Sequence, residues 1–460
     1  MSTNFLADSS LLGIGVSDAT GRPDNNSVGT IGVGFGPSNI ALAVAYAESG
    51  NSNTLQFLEA TSGPDWQPGM LIPGSDIQHN PLRDFITPKN PCSKYGYLCY
   101  LKSQDRLWSF VNLDAPFPPR SDYARYVRWV AEQFAHQVLY SEIVTRITVP
   151  FNGSRAARSL VQVDTASGKS FKARSLCFGP GRSNHIPPIF APFVGENVLH
   201  FTNYLRICAK WRAHPHTRPR SVAIIGSSQS AVEILLDMKA TLPEVTLHSV
   251  FRNFSYVLKD TSPFTEDLVT PEFTDYFYNA SPQSKHELTN QLLRSNYGSV
   301  DHDILRKLYF LLYENQVNED KSLVVHNNSL VTDIRREGRG MLLGLKDAHT
   351  GTTETHFVDA VILATGFRNS GRQPNEELMH PLLKDIAPFY KKQEDGTLNV
   401  TRDYQLVPLD QYPEAPPIVL NGLCESTHGL GDAGSFSLLS YRAYEIEQGL
   451  KRELGVGVKA

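Results

Sequence analysis

Short, continuously apolar runs closed by tight turns organise this chain. Val28–Val33 leads into a glycine cluster, Ser221–Ile225 into Gly226-Ser227-Ser228-Gln229-Ser230-Ala231, and residues 360–364 into Thr365-Gly366-Phe367. Short β-branched runs without polar alternation predict strands buried on both faces, as in parallel sheets. Residues 38–49 and 230–239 follow the first two runs with helical spacing. Strand, turn and helix in that order, twice, predict an α/β fold with two Rossmann-like, doubly wound dinucleotide-binding modules. A Pro-, His- and Arg-rich stretch, 214–220, precedes the second unit, and the Thr- and Gly-rich stretch 350–355 precedes the third run. These breaks place one discontinuous domain at 28–215 and 360–460, a second at 216–359, and a flexible tail at 1–27.

Composition narrows the class. The chain has 460 residues, enough for two or three domains. Apolar residues are 41% and charged residues 20%, which excludes a disordered chain. Lys plus Arg total 43 against 47 for Asp plus Glu, so no nucleic-acid partner is expected. No apolar run nears the roughly 18 residues that span a bilayer, and residues 1–27 lack the basic start and apolar core of a signal peptide. The five cysteines, Cys92, Cys99, Cys177, Cys208 and Cys424, contain no CxxC and fit no zinc spacing. Their odd number predicts reduced thiols in a cytoplasmic protein, with no metal site.

The first glycine loop reads Gly32-Val33-Gly34-Phe35-Gly36-Pro37-Ser38-Asn39. Its third glycine comes one residue earlier than in G-x-G-x-x-G. Gly32 is expected to make the tight turn and Gly34 to let backbone approach a pyrophosphate, with Gly36, Pro37 and Ser38 starting a helix whose N–H groups face the phosphates. Glu59 closes the next apolar run and suits a ribose hydroxyl. Gly226, Ser228, Gln229 and Ser230 form a reduced version of the loop. Arg252, at the end of the strand that follows, favours a 2′-phosphate and hence NADPH. Two such sites in one chain fit hydride transfer from NADPH to a flavin.

The chain resembles the flavin-dependent N-hydroxylating monooxygenases, which include the ornithine and lysine N-monooxygenases of siderophore synthesis. The resemblance rests on the first glycine loop, Trp66-Gln67-Pro68-Gly69-Met70, Ile77-Gln78, Leu82-Arg83-Asp84, Asn296-Tyr297, Ala364-Thr365-Gly366-Phe367 and His428-Gly429-Leu430, in order along the chain. It implies bound FAD, NADPH as reductant, O2 as co-substrate, and a primary amine hydroxylated through a C4a-hydroperoxyflavin for siderophore or other secondary-metabolite synthesis. It also implies an NADPH domain inserted in the FAD domain, a small helical region at the substrate, and a homo-oligomer, often a tetramer. Gln78 beside the flavin and Arg120 near the cofactors are the implied catalytic residues. Trp66, Thr365, Gly366 and Leu438 are implied at the cofactors, and Asn296 and Ser440 at the substrate.

Departures concentrate at the substrate. Arg83 stands where ornithine and lysine enzymes carry a lysine that grips the substrate carboxylate, and Glu266 stands where they carry an asparagine. Glu266 either attracts a substrate amino group or pairs with Arg83. The segment from His428 to Ser440 is longer and has an extra glycine. Ornithine or lysine is the default substrate. Aspartate hydroxylated on its α-amine and a diamine such as putrescine or cadaverine are the rivals. A flavin–NADPH reductase without hydroxylation is the competing class.

Overall fold

The computed structural model describes residues 28–150, 159–195 and 197–455; the tail expected at 1–27 lies outside them. The first sheet has seven strands: β1 (Val28–Val33), β2 (Leu55–Leu58), β3 (Val138–Leu139), β4 (Val144–Thr148), β5 (Val161–Thr165), β6 (Ser170–Phe178) and β15 (Ile418–Leu420). Its order is β3-β2-β1-β6-β5-β4, with β15 also on β6. β1, β2, β3, β6 and β15 run parallel, while β4 and β5 form an antiparallel edge. The second sheet is parallel throughout, with β7 (Val198–His200), β8 (Ser221–Ile225), β9 (Thr246–Val250), β10 (Leu323–His326) and β14 (Ala360–Leu363) in the order β10-β9-β8-β14-β7. A three-stranded antiparallel sheet, β11 (Ser329–Glu337), β12 (Gly340–Asp347) and β13 (Thr353–Val358), packs against it.

Both predicted strand–turn–helix units form. The apolar strands are buried as expected: β14 shows no exposed residue, and β1 only a half-buried first one. The helix Pro37–Ser49 starts with proline, whose missing N–H loses no bond there, and ends on Gly50 at φ 60°. The helix Leu439–Glu453 packs along it and returns the chain to the first sheet.

The domain limits differ from the sequence expectation. β7 and β14 both pair in the second sheet, so that sheet extends beyond 216–359 at each end. The reason is topological. β14 inserts between β8 and β7, and its all-apolar Ala-Val-Ile-Leu must be covered on both faces. The helical region lies between β9 and β10, with helices Pro271–Asn279, Pro282–Leu292 and His302–Val317.

Candidate active site

A cleft of about 890 Å³ runs between the first and second sheets. Each glycine loop opens into it where strand order reverses, after β1 between β2 and β6 and after β8 between β9 and β14. Such switch points are where open α/β sheets bind ligands. No side chain caps the helix that starts at Pro37 or the one that starts at Gln229. Both helix N-termini therefore offer backbone N–H groups to anionic ligands.

The glycines divide their tasks differently from the sequence expectation. Gly32 lies inside β1, where a Cβ would fall 2.2 Å from the Phe57 ring, so it serves packing and not the turn. Gly34 makes the turn at φ 81°, where a Cβ would meet the Gly179 oxygen at 2.7 Å. Gly36 faces open space, with nothing within 4 Å of a Cβ. Glu59 holds this loop by accepting from Phe35 N–H at 2.5 Å and also lines the cleft. Gly226, at φ 134°, lets Ala364 approach: a Cβ would fall 2.4 Å from its carbonyl oxygen. A glycine turn, an open glycine and an uncapped helix at the first switch point, and a glycine turn with an uncapped helix at the second, fit two dinucleotides.

Gly34, Gly36, Pro37, Ser38, Glu59, Trp66, Gln78, Arg83, Arg120, Ser228, Gln229, Ser230, Glu266, Asn296 and Gly366 all line the cleft. Gly32, Gly226, Arg252, Thr365, Leu438 and Ser440 do not. Arg252 is exposed at the end of β9, and Thr365 bonds the loop before β7 through His185. Leu438 and Ser440 are buried, and the Ser440 hydroxyl has no partner.

Arg120 has a task the sequence did not indicate. It is 7% exposed and pairs bidentately with Glu233 at 2.8 Å, while also donating to the Met70 and Asp76 carbonyls. Glu233 belongs to the helix after the second glycine loop, so the pair clamps the two parts of the molecule together. Arg120 is thus a clamp as well as part of the cleft wall. Arg120→Met leaves Glu233 buried and unpaired, and is expected to cost about 3–5 kcal/mol of stability. Urea unfolding followed by circular dichroism checks this.

The clamp continues as a polar seam. Gln229 donates to Glu233 at 3.0 Å and accepts from Asp301 N–H at 2.9 Å. Gln78, in the left-handed region at φ 61°, donates to Asp301, and Lys259 donates to the Gln78 carbonyl at 3.3 Å. A non-glycine residue held there marks a conformation the surroundings enforce. The Gln78 backbone N–H donates to Asp76 at 3.0 Å. Burial, reinforced by Asp301, pushes the Asp76 carboxyl up to about 6. A raised acid favours folding when protonated, so its contribution is present below about pH 4 and is lost as pH rises to 6. Asp76→Asn keeps the acceptor, and is expected to stabilise the chain at pH 8 and leave it unchanged at pH 4. Thermal melts at the two pH values test this.

An aromatic cluster meets the cleft through Trp66, His79 and Phe436. Phe436 packs edge-on to Trp66 at 5.2 Å and to Tyr123 at 5.1 Å, and stacks on His79 at 5.5 Å. His79 Nδ1 lies 2.8 Å from the Ile77 carbonyl, which only accepts, so Nδ1 carries the proton. Nε2 is then an acceptor, shielded from solvent and without a partner. Burial pushes this imidazole down to about 4, so it is neutral at pH 7. Nearby, Arg83 and Glu266 form an ion pair with side chains 30% and 31% exposed. Asn296 donates to the Leu430 carbonyl at 3.1 Å. Gly434, in the segment with the extra glycine, packs where a Cβ would fall 2.9 Å from Asn296. A buried Arg442–Asp432 pair at 3.0 Å, with Arg442 also donating to Ser38, anchors this segment to the first glycine loop. Sequence reasoning missed Glu233 and Asp301 because their partners Arg120 and Gln78 are distant in the chain, and it also missed His79 and Arg442.

Two dinucleotide loops facing one cleft define a flavoprotein that takes electrons from a nicotinamide nucleotide. The chain belongs to the L-lysine 6-monooxygenase/L-ornithine 5-monooxygenase family, which it matches over residues 26–369. It is 32% identical to L-ornithine N(5)-monooxygenase of Pseudomonas aeruginosa over 94% of this chain and 95% of that protein. An ornithine N-hydroxylase from Kutzneria sp. 744, solved with reduced FAD, NADP+ and L-ornithine, superposes with a TM-score of 0.84 at 29% identity, covering 93% of this chain and 99% of that one. The putrescine N-hydroxylase of Shewanella oneidensis is 26% identical over 91% of this chain and 82% of its own length. The chain is thus an NADPH-dependent flavin N-monooxygenase. Among the described residues no helix is long and apolar enough to cross a membrane.

Proposed function

We propose that this enzyme hydroxylates the side-chain amine of a free α-amino acid of the ornithine–lysine kind, for siderophore or other secondary-metabolite synthesis. The observation that carries this reading is the Arg83–Glu266 pair in the cleft wall. Its net charge is zero, which matches a zwitterionic amino-acid head. The free face of Arg83 takes the α-carboxylate, and Glu266 takes the α-ammonium. A substrate with two carboxylates sets one of them against Glu266. A diamine sets an ammonium beside Arg83.

The loops at Gly34–Ser38 and Ser228–Ser230 would hold FAD and NADPH. FAD reduced by NADPH supplies the activation of O2. The protein's part is binding, orientation and exclusion of water. A free amine with a pKa near 10.4 is charged at pH 7. The wall of Trp66 and Phe436, backed by the buried Tyr123, disfavours that charge by desolvation.

The test is hydroxylamine formation by the yellow protein with NADPH and O2 against ornithine, lysine, aspartate, putrescine and cadaverine. Hydroxylamine in step with NADPH consumption, for ornithine or lysine only, supports the reading. Preference for aspartate or a diamine, or only H2O2 with every amine, overturns it. We further propose a cytoplasmic homo-oligomer. Five free cysteines support the location, and the exposed Tyr309, Phe310 and Tyr313 on one helix support the assembly. Light scattering coupled to gel filtration tests the assembly.

A further inference from the structure

Three histidines far apart in the chain meet outside the cleft. His248 lies in β9, His326 ends β10, and His356 lies in β13. Val324 is opposite His248, and His326 is opposite Val250. His248 and His326 are therefore diagonal neighbours on one face of the second sheet. β13 belongs to the antiparallel sheet that packs against it, so the third imidazole arrives from across the interface. One nitrogen from each ring lies within 4.8 Å of the other two.

The local contacts orient these rings as donors. His248 Nδ1 lies 3.1 Å from His326 Nε2, a spacing at which either one proton is shared or two lone pairs converge. His326 Nδ1 is 3.0 Å from Glu354 Oε1, which leaves Nε2 as the lone-pair nitrogen. His356 Nε2 is shielded from solvent without a hydrogen-bond partner, 3.2 Å from Glu354 Oε2. Burial and the neighbouring imidazoles push His248 down to about 4, and burial lowers His326 against the pull of Glu354. Three imidazoles crowd together at no gain from hydrophobic burial, and a carboxylate placed behind His326 is the arrangement that orients a metal-bound histidine. A tetrahedral zinc ion with nitrogen ligands at about 2.0–2.1 Å holds its donors roughly 3.4 Å apart. The His248–His326 pair at 3.1 Å is near that value, and the third nitrogen lies within 4.8 Å of both.

We propose that His248, His326 and His356 bind one divalent cation of the zinc class, with Glu354 orienting His326. The ion cross-links the edge strand β10 and its neighbour β9 to β13, and so fastens the antiparallel sheet to the second parallel sheet. None of the three lines the catalytic cleft. The site is independent of the amine that is hydroxylated. It was invisible in the sequence because zinc templates rest on short local spacings, and these residues have none.

The test uses untagged holoenzyme, treated with EDTA, dialysed and titrated with zinc chloride by calorimetry. One equivalent of zinc per chain is expected to bind, and to raise the melting temperature. His326→Ala and His356→Gln are each expected to weaken binding by at least about 100-fold, and Glu354→Gln by about 10- to 100-fold. Flavin content and circular dichroism report whether each variant folds. His356 is only partly buried, so His356→Gln supplies a folded variant in any case. Absence of saturable binding at one equivalent, or unchanged affinity in folded His356→Gln, overturns the proposal.

Discussion

A Gly36→Val chain is expected to purify folded and colourless. Gly36 has φ −80° and ψ −175°, a conformation any residue adopts, and no protein atom lies within 4 Å of an added Cβ. The fold therefore tolerates the side chain. What the side chain occupies is the cleft at the start of the helix Pro37–Ser49, where a dinucleotide phosphate would meet backbone N–H groups. Overpacking of about 2–3 kcal/mol corresponds to roughly a 100-fold loss of FAD affinity. The ratio of absorbance at 450 nm to that at 280 nm reads the flavin, and circular dichroism reads the fold. Gly34→Val is the contrasting variant. Its residue sits at φ 81° with the Gly179 carbonyl 2.7 Å from the added Cβ, so loop and fold are both damaged. A yellow Gly36→Val enzyme with full flavin stoichiometry would show that the first glycine loop does not hold the cofactor.

That glycine loop also shows how far the sequence was legible. Apolar strands followed by glycine turns were readable because buried parallel strands leave no choice of residue class. The same logic misassigned Gly32, since a glycine needed inside a strand against Phe57 looks identical in sequence to one needed in a turn. Domain limits were harder. Linker composition at 214–220 marks flexible chain, but sheet membership is decided by pairing. β7 and β14 join the second sheet through partners that local pattern cannot reveal. Arg120 was recognisable as a special residue but not as a clamp, because its partner Glu233 is 113 residues away. The substrate departures at Arg83 and Glu266 were legible as substitutions. Their contact, across 183 residues, appeared only in three dimensions.

Arg83→Ala is expected to raise the KM for the amino-acid substrate by about 100-fold, while NADPH oxidation persists and releases H2O2. Truncating one partner of a charge-assisted pair typically costs 2–5 kcal/mol, which brackets that factor. The pair is about 30% exposed on each side, where an ion pair contributes about 0–1 kcal/mol to folding. The variant should therefore fold and retain flavin, and the effect will be on binding. Glu266→Gln separates a substrate role from mere support of Arg83. If Glu266 holds the α-ammonium, the substitution weakens ornithine strongly but leaves 5-aminopentanoate, which lacks that ammonium, nearly unchanged. If Glu266 only positions Arg83, both compounds weaken together, because both carry the carboxylate. Putrescine supplies the reciprocal control: it has no carboxylate, so Arg83→Ala should not weaken it and should improve it by removing a like charge. An Arg83→Ala enzyme with an unchanged KM for the amino acid would take Arg83 out of the substrate site, and the zwitterion reading would fall with it.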